Sequence, residues 1–239
     1  MSVPFSSAAV LGAGTMGAQI AAHLSNAGVP VTLLDVSRDA AAQGLARLKT
    51  LKPDPCFVPT VLARISTGSF TDDAARLRQA DWIIEAVVES LDVKRALLAS
   101  LAPHISPSAV LSSNTSGIPL GDIASALPAD LQTRWLGTHF FNPPRYLHLL
   151  ELIPTPQTST ETLTRISEFA DHRLGKGVVV ARDTPGFIAN RIGMFAAARA
   201  LELVASGEFT IEELDAITGP IIGRPKSCLL YTSPSPRDS

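Results

Sequence analysis

His139 and Glu151 are the two side chains whose types and spacing could move a proton. Twelve residues separate them, with Pro143 and Pro144 between. A histidine with a pKa near about 6.5 can take the proton of an alcohol around neutrality while a hydride leaves the carbon. A carboxylate on the other ring nitrogen fixes the tautomer and stabilises the imidazolium that forms. The twelve-residue span is enough for a strand to end, turn through two prolines and return alongside. Spacing does not decide the matter, because a half-buried histidine satisfied by backbone is the commoner state of a lone imidazole. His148 reads as structural, and His23, His104 and His172 read as surface or packing residues.

A departing hydride needs an acceptor, and the first forty residues carry a pattern for one. Gly12-Ala13-Gly14-Thr15-Met16-Gly17 matches G-x-G-x-x-G between an apolar run at 8–11 and a small-residue helix expected over 18–27. Gly12 permits the tight turn, Gly14 lets backbone approach a pyrophosphate, and Gly17 lets helix and strand pack closely. Free N–H groups and the helix dipole then favour the diphosphate at the helix start. Asp35 ends the second apolar run, 23 residues after Gly12, where a carboxylate accepts hydrogen bonds from the adenosine ribose. Its charge would repel a 2′-phosphate, so NAD is favoured over NADP.

The elements that must hold these residues alternate. Strands are expected at 8–11, 31–34, 64–66, 82–87, 109–112 and 135–139, with helices over 37–51, 92–101 and 120–126 between them. Largely apolar strands separated by helices predict a doubly wound, mainly parallel α/β sheet covered on both faces. Asn114 to Gly117 fall in a strand-to-helix loop, where open α/β sheets place ligands. A further strand pair is expected at 148–153 and 177–181, separated by a helix over 160–173. A boundary near 183–186 then leads into a long alanine-rich helix, 187–205, whose apolar surface predicts burial in a second domain or between subunits. Thr210 and Glu213 have capping-box spacing at the start of another helix. The expected division is a nucleotide domain over 1–184, the start of a helical domain over 185–227, and a Ser/Pro-rich tail over 228–239. That tail reads as read-through or a cloning scar, and a natural disordered tail fits its composition nearly as well.

Composition sets the bounds. The chain has 239 residues, 46% of them hydrophobic and 18% charged, and a net charge of −2. Such a chain buries a sizeable core and offers no electrostatic case for nucleic acid or an anionic membrane. Cys56 and Cys228 lack metal or disulfide spacing, which suggests a reducing compartment. With no apolar run near the length of a membrane span and no secretory leader, a cytoplasmic protein is expected.

In combination these residues resemble the L-3-hydroxyacyl-CoA dehydrogenase family, specifically its NAD-binding domain. The resemblance rests on Gly12 to Gly17, Glu85-Ala86-Val87-Val88-Glu89 with Lys94, Ser113-Asn114-Thr115-Ser116, His139-Phe140-Phe141-Asn142-Pro143, Leu150-Glu151, and the 183–191 run from Asp183 to Arg191. It spans residues 8 to 227 and implies a Rossmann-type fold, NAD, and interconversion of an (S)-3-hydroxyacyl-CoA with a 3-oxoacyl-CoA in fatty-acid β-oxidation. It further implies that His139 is the general base, Glu151 its orienting partner, and Ser116 and Asn190 the groups holding the substrate oxygen. Glu89 and Lys94 match positions at the nicotinamide-side ribose, and Asn114 and Ser116 complete the cofactor set. The versions at 143–146, 149–154 and 217–227 resemble a subgroup whose chains also carry an enoyl-CoA hydratase region. At 52–59 a short proline-rich link replaces the longer helical segment of stand-alone members. A homodimer is expected where the helical domain is complete, and this chain reads as stopping partway through it. Two other readings stay open: a catalytically incomplete NAD-binding fragment, and a dehydrogenase of free hydroxy acids using a lysine such as Lys176.

Overall fold

The computed structural model describes residues 5–219 and Ile221, which form two units dividing between Phe187 and Ile188. In the first unit, eight strands form one sheet: β1 (Ala8–Leu11), β2 (Val31–Asp35), β3 (Ile65–Ser69), β4 (Trp82–Glu85), β5 (Val110–Ser113), β6 (Trp135–Phe140), β7 (Leu149–Pro154) and β8 (Gly177–Val180). Their order is β3-β2-β1-β4-β5-β6-β7-β8, and every pair is parallel except β6 with β7. The helices are α1 (Thr15–Asn26), α2 (Arg38–Arg47), α3 (Leu91–Leu101), α4 (Leu120–Ala124), α5 (Ala129–Gln132) and α6 (Thr160–Leu174).

The side-chain period of two in β1 explains why both faces are covered. Ala8 and Val10 pack with Ile20 and Leu24 of α1 and Phe169 of α6. Ala9 and Leu11 point the other way, onto Leu98 of α3 and Ile123 of α4. Strands β1, β4, β5 and β6 are buried at every residue, which is why they read as continuous apolar runs. Trp82 anchors one layer, with Phe5 at 5.4 Å and Phe169 at 6.0 Å between ring centroids. Its indole N–H donates to Ser112 Oγ at 2.9 Å, so its burial leaves no orphan donor.

Two helices depart from expectation at an end. Helix α2 ends at Arg47 rather than at residue 51, because Leu48, Lys49 and Thr50 tighten into i→i−3 turns. Ser37 does cap its start, accepting from Ala40 N–H at 3.1 Å. In the second unit, α7 (Ala189–Ala205) begins two residues later than expected, Phe187 being buried in the first unit instead. Within this chain α7 leaves Ile192, Met194 and Phe195 64%, 70% and 68% exposed, with Ala200 its one buried residue; this is the apolar surface expected to be covered by the rest of a second domain or by another subunit. Two helices cannot cover each other on more than one side, and α8 (Ile211–Thr218) is the described neighbour that packs on it. The Thr210–Glu213 capping box at the start of α8 forms as expected. The tail over 228–239 lies outside the described residues. Among the described residues no helix is long and apolar enough to cross a membrane.

Candidate active site

The cleft opens at the carboxyl ends of β1 and β4, where the chain order in the sheet reverses direction. Gly12 sits there with φ at 101°, and a Cβ on it would meet the Ala86 carbonyl oxygen at 2.7 Å. A Cβ on Gly17 would fall 1.8 Å from the Gly12 carbonyl oxygen, so α1 can approach its own entry turn this closely only with glycine there. Gly14 has nothing within 4 Å of that position and faces open space. It is also the N-cap of α1, with no side chain satisfying the first-turn amides. Thr15 is exposed on that turn, and Met16 is half-buried and lines the cleft.

Asp35, at the tip of β2, accepts from Ala13 N–H at 2.6 Å and Val36 N–H at 2.7 Å. It borders a cavity of about 560 Å³ with Gly12, Gly14 and an apolar wall of Phe70, Val93 and Leu97. A second cavity of about 460 Å³ shares Gly14, Ala86, Val87 and Val88 with the first and continues to Asn114, Ser116 and His139. The groove therefore offers open helix-start amides in its middle, a carboxylate and apolar wall at one end, and an imidazole at the other. Those features fit the diphosphate, adenosine and nicotinamide ends of NAD in turn.

Antiparallel register sets His139 opposite Glu151. His139 Nδ1 lies 2.7 Å from Glu151 Oε2, with the carboxylate fully buried and the imidazole 6% exposed. The Phe141 and Phe187 rings flank the imidazole at 4.5 and 5.5 Å. With Nδ1 engaged, Nε2 is the nitrogen left to exchange a proton with a ligand. Asn114 Oδ1 accepts from Phe140 N–H at 2.9 Å, tying its loop to the end of β6.

Glu89 and Lys94 are already heavily engaged. Glu89 Oε1 accepts from Thr115 Oγ1 at 2.6 Å, Ser116 N–H at 2.9 Å and Gly117 N–H at 3.2 Å. Burial raises its pKa, but the Thr115 and Ser116 bonds and the Lys94 charge outweigh burial and hold the carboxyl below its usual range. Lys94 lines the cleft, yet its ammonium is 1% exposed and is shared among Glu85 Oε1 at 2.8 Å, Glu89 Oε2 at 3.3 Å and the Val87 carbonyl at 3.3 Å. Ser116 borders the cleft, its Oγ 3.5 Å from Glu89 Oε1. Asn190 belongs to the second unit, at the second position of α7.

Glu85, named in the sequence only as part of a motif and given no role, is fully buried and holds Lys94, Val87 N–H at 2.7 Å and Ser113 Oγ at 2.5 Å. A lone carboxylate ending an apolar strand was the available signal. Gln19 was also missed; its amide donates to Asn142 Oδ1 at 3.0 Å and braces the segment after His139.

The family described as 3-hydroxyacyl-CoA dehydrogenase, NAD binding domain, matches residues 7–184. The chain belongs to this family. A probable 3-hydroxyacyl-CoA dehydrogenase from Deinococcus radiodurans is 45% identical over 234 residues, covering 95% of this chain and 67% of that one. A probable 3-hydroxyacyl-CoA dehydrogenase from Bacillus subtilis is 43% identical over 94% of this chain, which spans only 31% of it. The crystal structure of FadB2 from M. tuberculosis superposes with a TM-score of 0.83 at 33% identity, covering 93% of this chain and 80% of that one. The matched NAD-binding domain, residues 7–184, includes every residue lining the groove from Asp35 to His139.

Proposed function

We propose that this chain carries the NAD-dependent interconversion of (S)-3-hydroxyacyl-CoA and 3-oxoacyl-CoA, in fatty-acid β-oxidation. The observation that supports this most directly is the 2.7 Å His139–Glu151 contact at the far end of a groove that begins at Asp35. The loop from Gly12 to Gly17, with Ala13, Thr15 and Met16, would hold the diphosphate; Asp35 would hold the adenosine ribose. Glu89, Lys94 and Asn114 would shape the nicotinamide end. NAD, when bound, supplies the acceptor for the substrate's hydride.

In this reading His139 takes the 3-hydroxyl proton on Nε2, and Glu151 keeps Nδ1 protonated and offsets the charge that develops on the ring. Ser116 and Asn190 would hold the substrate oxygen. Phe141 and Phe187 would shield two sides of the imidazole from water. In the reverse direction the same imidazolium returns the proton to the carbonyl oxygen.

The free-hydroxy-acid reading finds little support, since Lys176 is 3% exposed with its ammonium bound to the Pro144 and Leu147 carbonyls. A reducing, cytoplasmic setting and, where the helical domain is complete, a homodimer are parts of the same proposal. The deciding experiment follows NADH formation with short and long 3-hydroxyacyl-CoA substrates, alongside NAD binding by calorimetry. Turnover abolished in His139→Asn with NAD affinity retained is the expected result. NAD binding without turnover on any such substrate would favour a catalytically incomplete fragment.

A further inference from the structure

Lys176 is a buried cation with no carboxylate partner among the described residues, and the chemistry assigned above does not use it. Its backbone is fixed on both sides. Its N–H donates to the Ala170 carbonyl across the C-terminus of α6, after Gly175 turns left-handed at φ 65°. The next residue, Gly177, donates to the His148 carbonyl and opens β8. From that fixed point the side chain runs under residues 141–148, the crown joining β6 to β7. Its ammonium donates to the Pro144 carbonyl and, at 2.7 Å, to the Leu147 carbonyl, and it lies 5.7 Å from the Phe140 ring centroid.

The crown carries two groups of the cleft wall, Phe141 and Asn142. It also props the proline-rich link. Arg145 Nη1 donates to the Asp54 and Cys56 carbonyls at 2.6 and 2.7 Å, and Tyr146 Oη donates to the Asp54 carbonyl at 2.9 Å. One ammonium therefore gathers two carbonyls of a segment that forms one wall of the cleft and hydrogen-bonds the proline-rich link. We propose that Lys176 is a positioning residue, holding the crown in the geometry that admits the acyl-CoA without itself touching the reacting atoms. The kinetic part of this rests on the dehydrogenase reading; the structural part does not.

The sign of the pH effect follows from the surroundings. Burial pushes the Lys176 pKa down to about 8 from its usual 10.5. Among the described residues, His23 from α1 feels the Lys176 charge, the crown's Arg145 acts on that same His23, and His148 of the crown sits on the neighbouring Gly175 carbonyl; no carboxylate acts on the ammonium to hold it charged. An open crown returns Lys176 to water and to its ordinary pKa, so the open form binds the proton more tightly. Raising the pH through 8 therefore favours the closed crown, in which a neutral amine still donates to both carbonyls.

The test is amide exchange, corrected for intrinsic rates, on the full chain of wild type and Lys176→Met from pH 6 to 9, with KM and kcat measured in parallel. The reporters are the Tyr146 and Leu147 amides, both bonded to the Pro143 carbonyl. Protection of those amides in wild type should rise with pH through 8. In Lys176→Met it should be about tenfold lower and flat in pH, while β1 and β4 amides keep theirs. KM for the acyl-CoA should rise about fivefold or more with kcat held within about threefold. Unchanged crown protection, or loosening spread evenly over the sheet, overturns the assignment, and the wild-type pH profile decides even if Lys176→Met fails to fold. Should no acyl-CoA be turned over, the dehydrogenase reading fails while the exchange result still judges Lys176.

Discussion

At the scale of single residues, the strongest statements concern protons. Glu151 is fully buried against His139, so its replacement acts through the imidazole. Glu151→Gln keeps the shape but removes the charge that stabilises the imidazolium, and kcat should fall by about 10²- to 10⁴-fold with NAD affinity unchanged. A Glu151→Gln enzyme with wild-type kcat would remove the pair from the mechanism. His23 gives a stability prediction of definite sign. Burial first, then the Lys176 charge, push its pKa down to about 3, against an opposing backbone contact at Leu174. Between pH 6.5 and 3 the unfolded chain therefore binds more protons than the folded one. The contribution is complete above 6.5 and is lost on acidification, by about 3 kcal/mol near a pH of about 4. Denaturant melts of His23→Leu should show a flatter acid limb than wild type, and parallel limbs would contradict the assignment.

At the scale of elements, backbone approach and capping set the geometry. The entry of α1 depends on Gly17, where an added methyl would lie 1.8 Å from the Gly12 carbonyl oxygen and backbone must move to relieve it. Gly17→Ala should destabilise the fold by about 1–3 kcal/mol and weaken NAD binding at least tenfold, measured by thermal melts and calorimetry. Melting and binding like wild type would show that α1 can shift at no cost. Asp183 acts at the other end of the unit, accepting from Leu120 N–H at 2.8 Å and Gly121 N–H at 2.9 Å. It fastens the segment leading out of the sheet to the first turn of α4. Asp183→Ala leaves both amides unpaired and should cost about 1–2 kcal/mol, with Asp183→Asn recovering part of it; equal stability of all three proteins would contradict that role.

At the scale of the whole molecule, the core belongs to the first unit. Phe169 packs edge-on against Phe5 and Trp82, whereas Phe195 of α7 is 68% exposed. Phe169→Ala should cost about 3–5 kcal/mol, and Phe195→Ser should stay within about 0.5 kcal/mol for the isolated chain. Equal losses by denaturant melts would mean that the second unit shares in the core. Much of this architecture is legible in the sequence. Apolar runs of four to six residues between helical stretches fit only buried strands, so the doubly wound sheet followed from the order of residues alone. The Gly12-x-Gly14-x-x-Gly17 turn and Asp35 were legible for the same reason, because local sterics and short spacing define them. Tertiary structure alone decided what depends on contacts between distant segments. Antiparallel register set His139 against Glu151, chain folding enclosed Lys94 between Glu85 and Glu89, and the approach of β8 to the β6–β7 crown drew Lys176 under it. The exposed face of α7 is the converse case: its composition spoke for burial, but what covers a face is a property of its neighbours and not of the helix. Local sequence fixes periodicity and backbone freedom, while the His139–Glu151 contact is made only when β6 and β7 come into register.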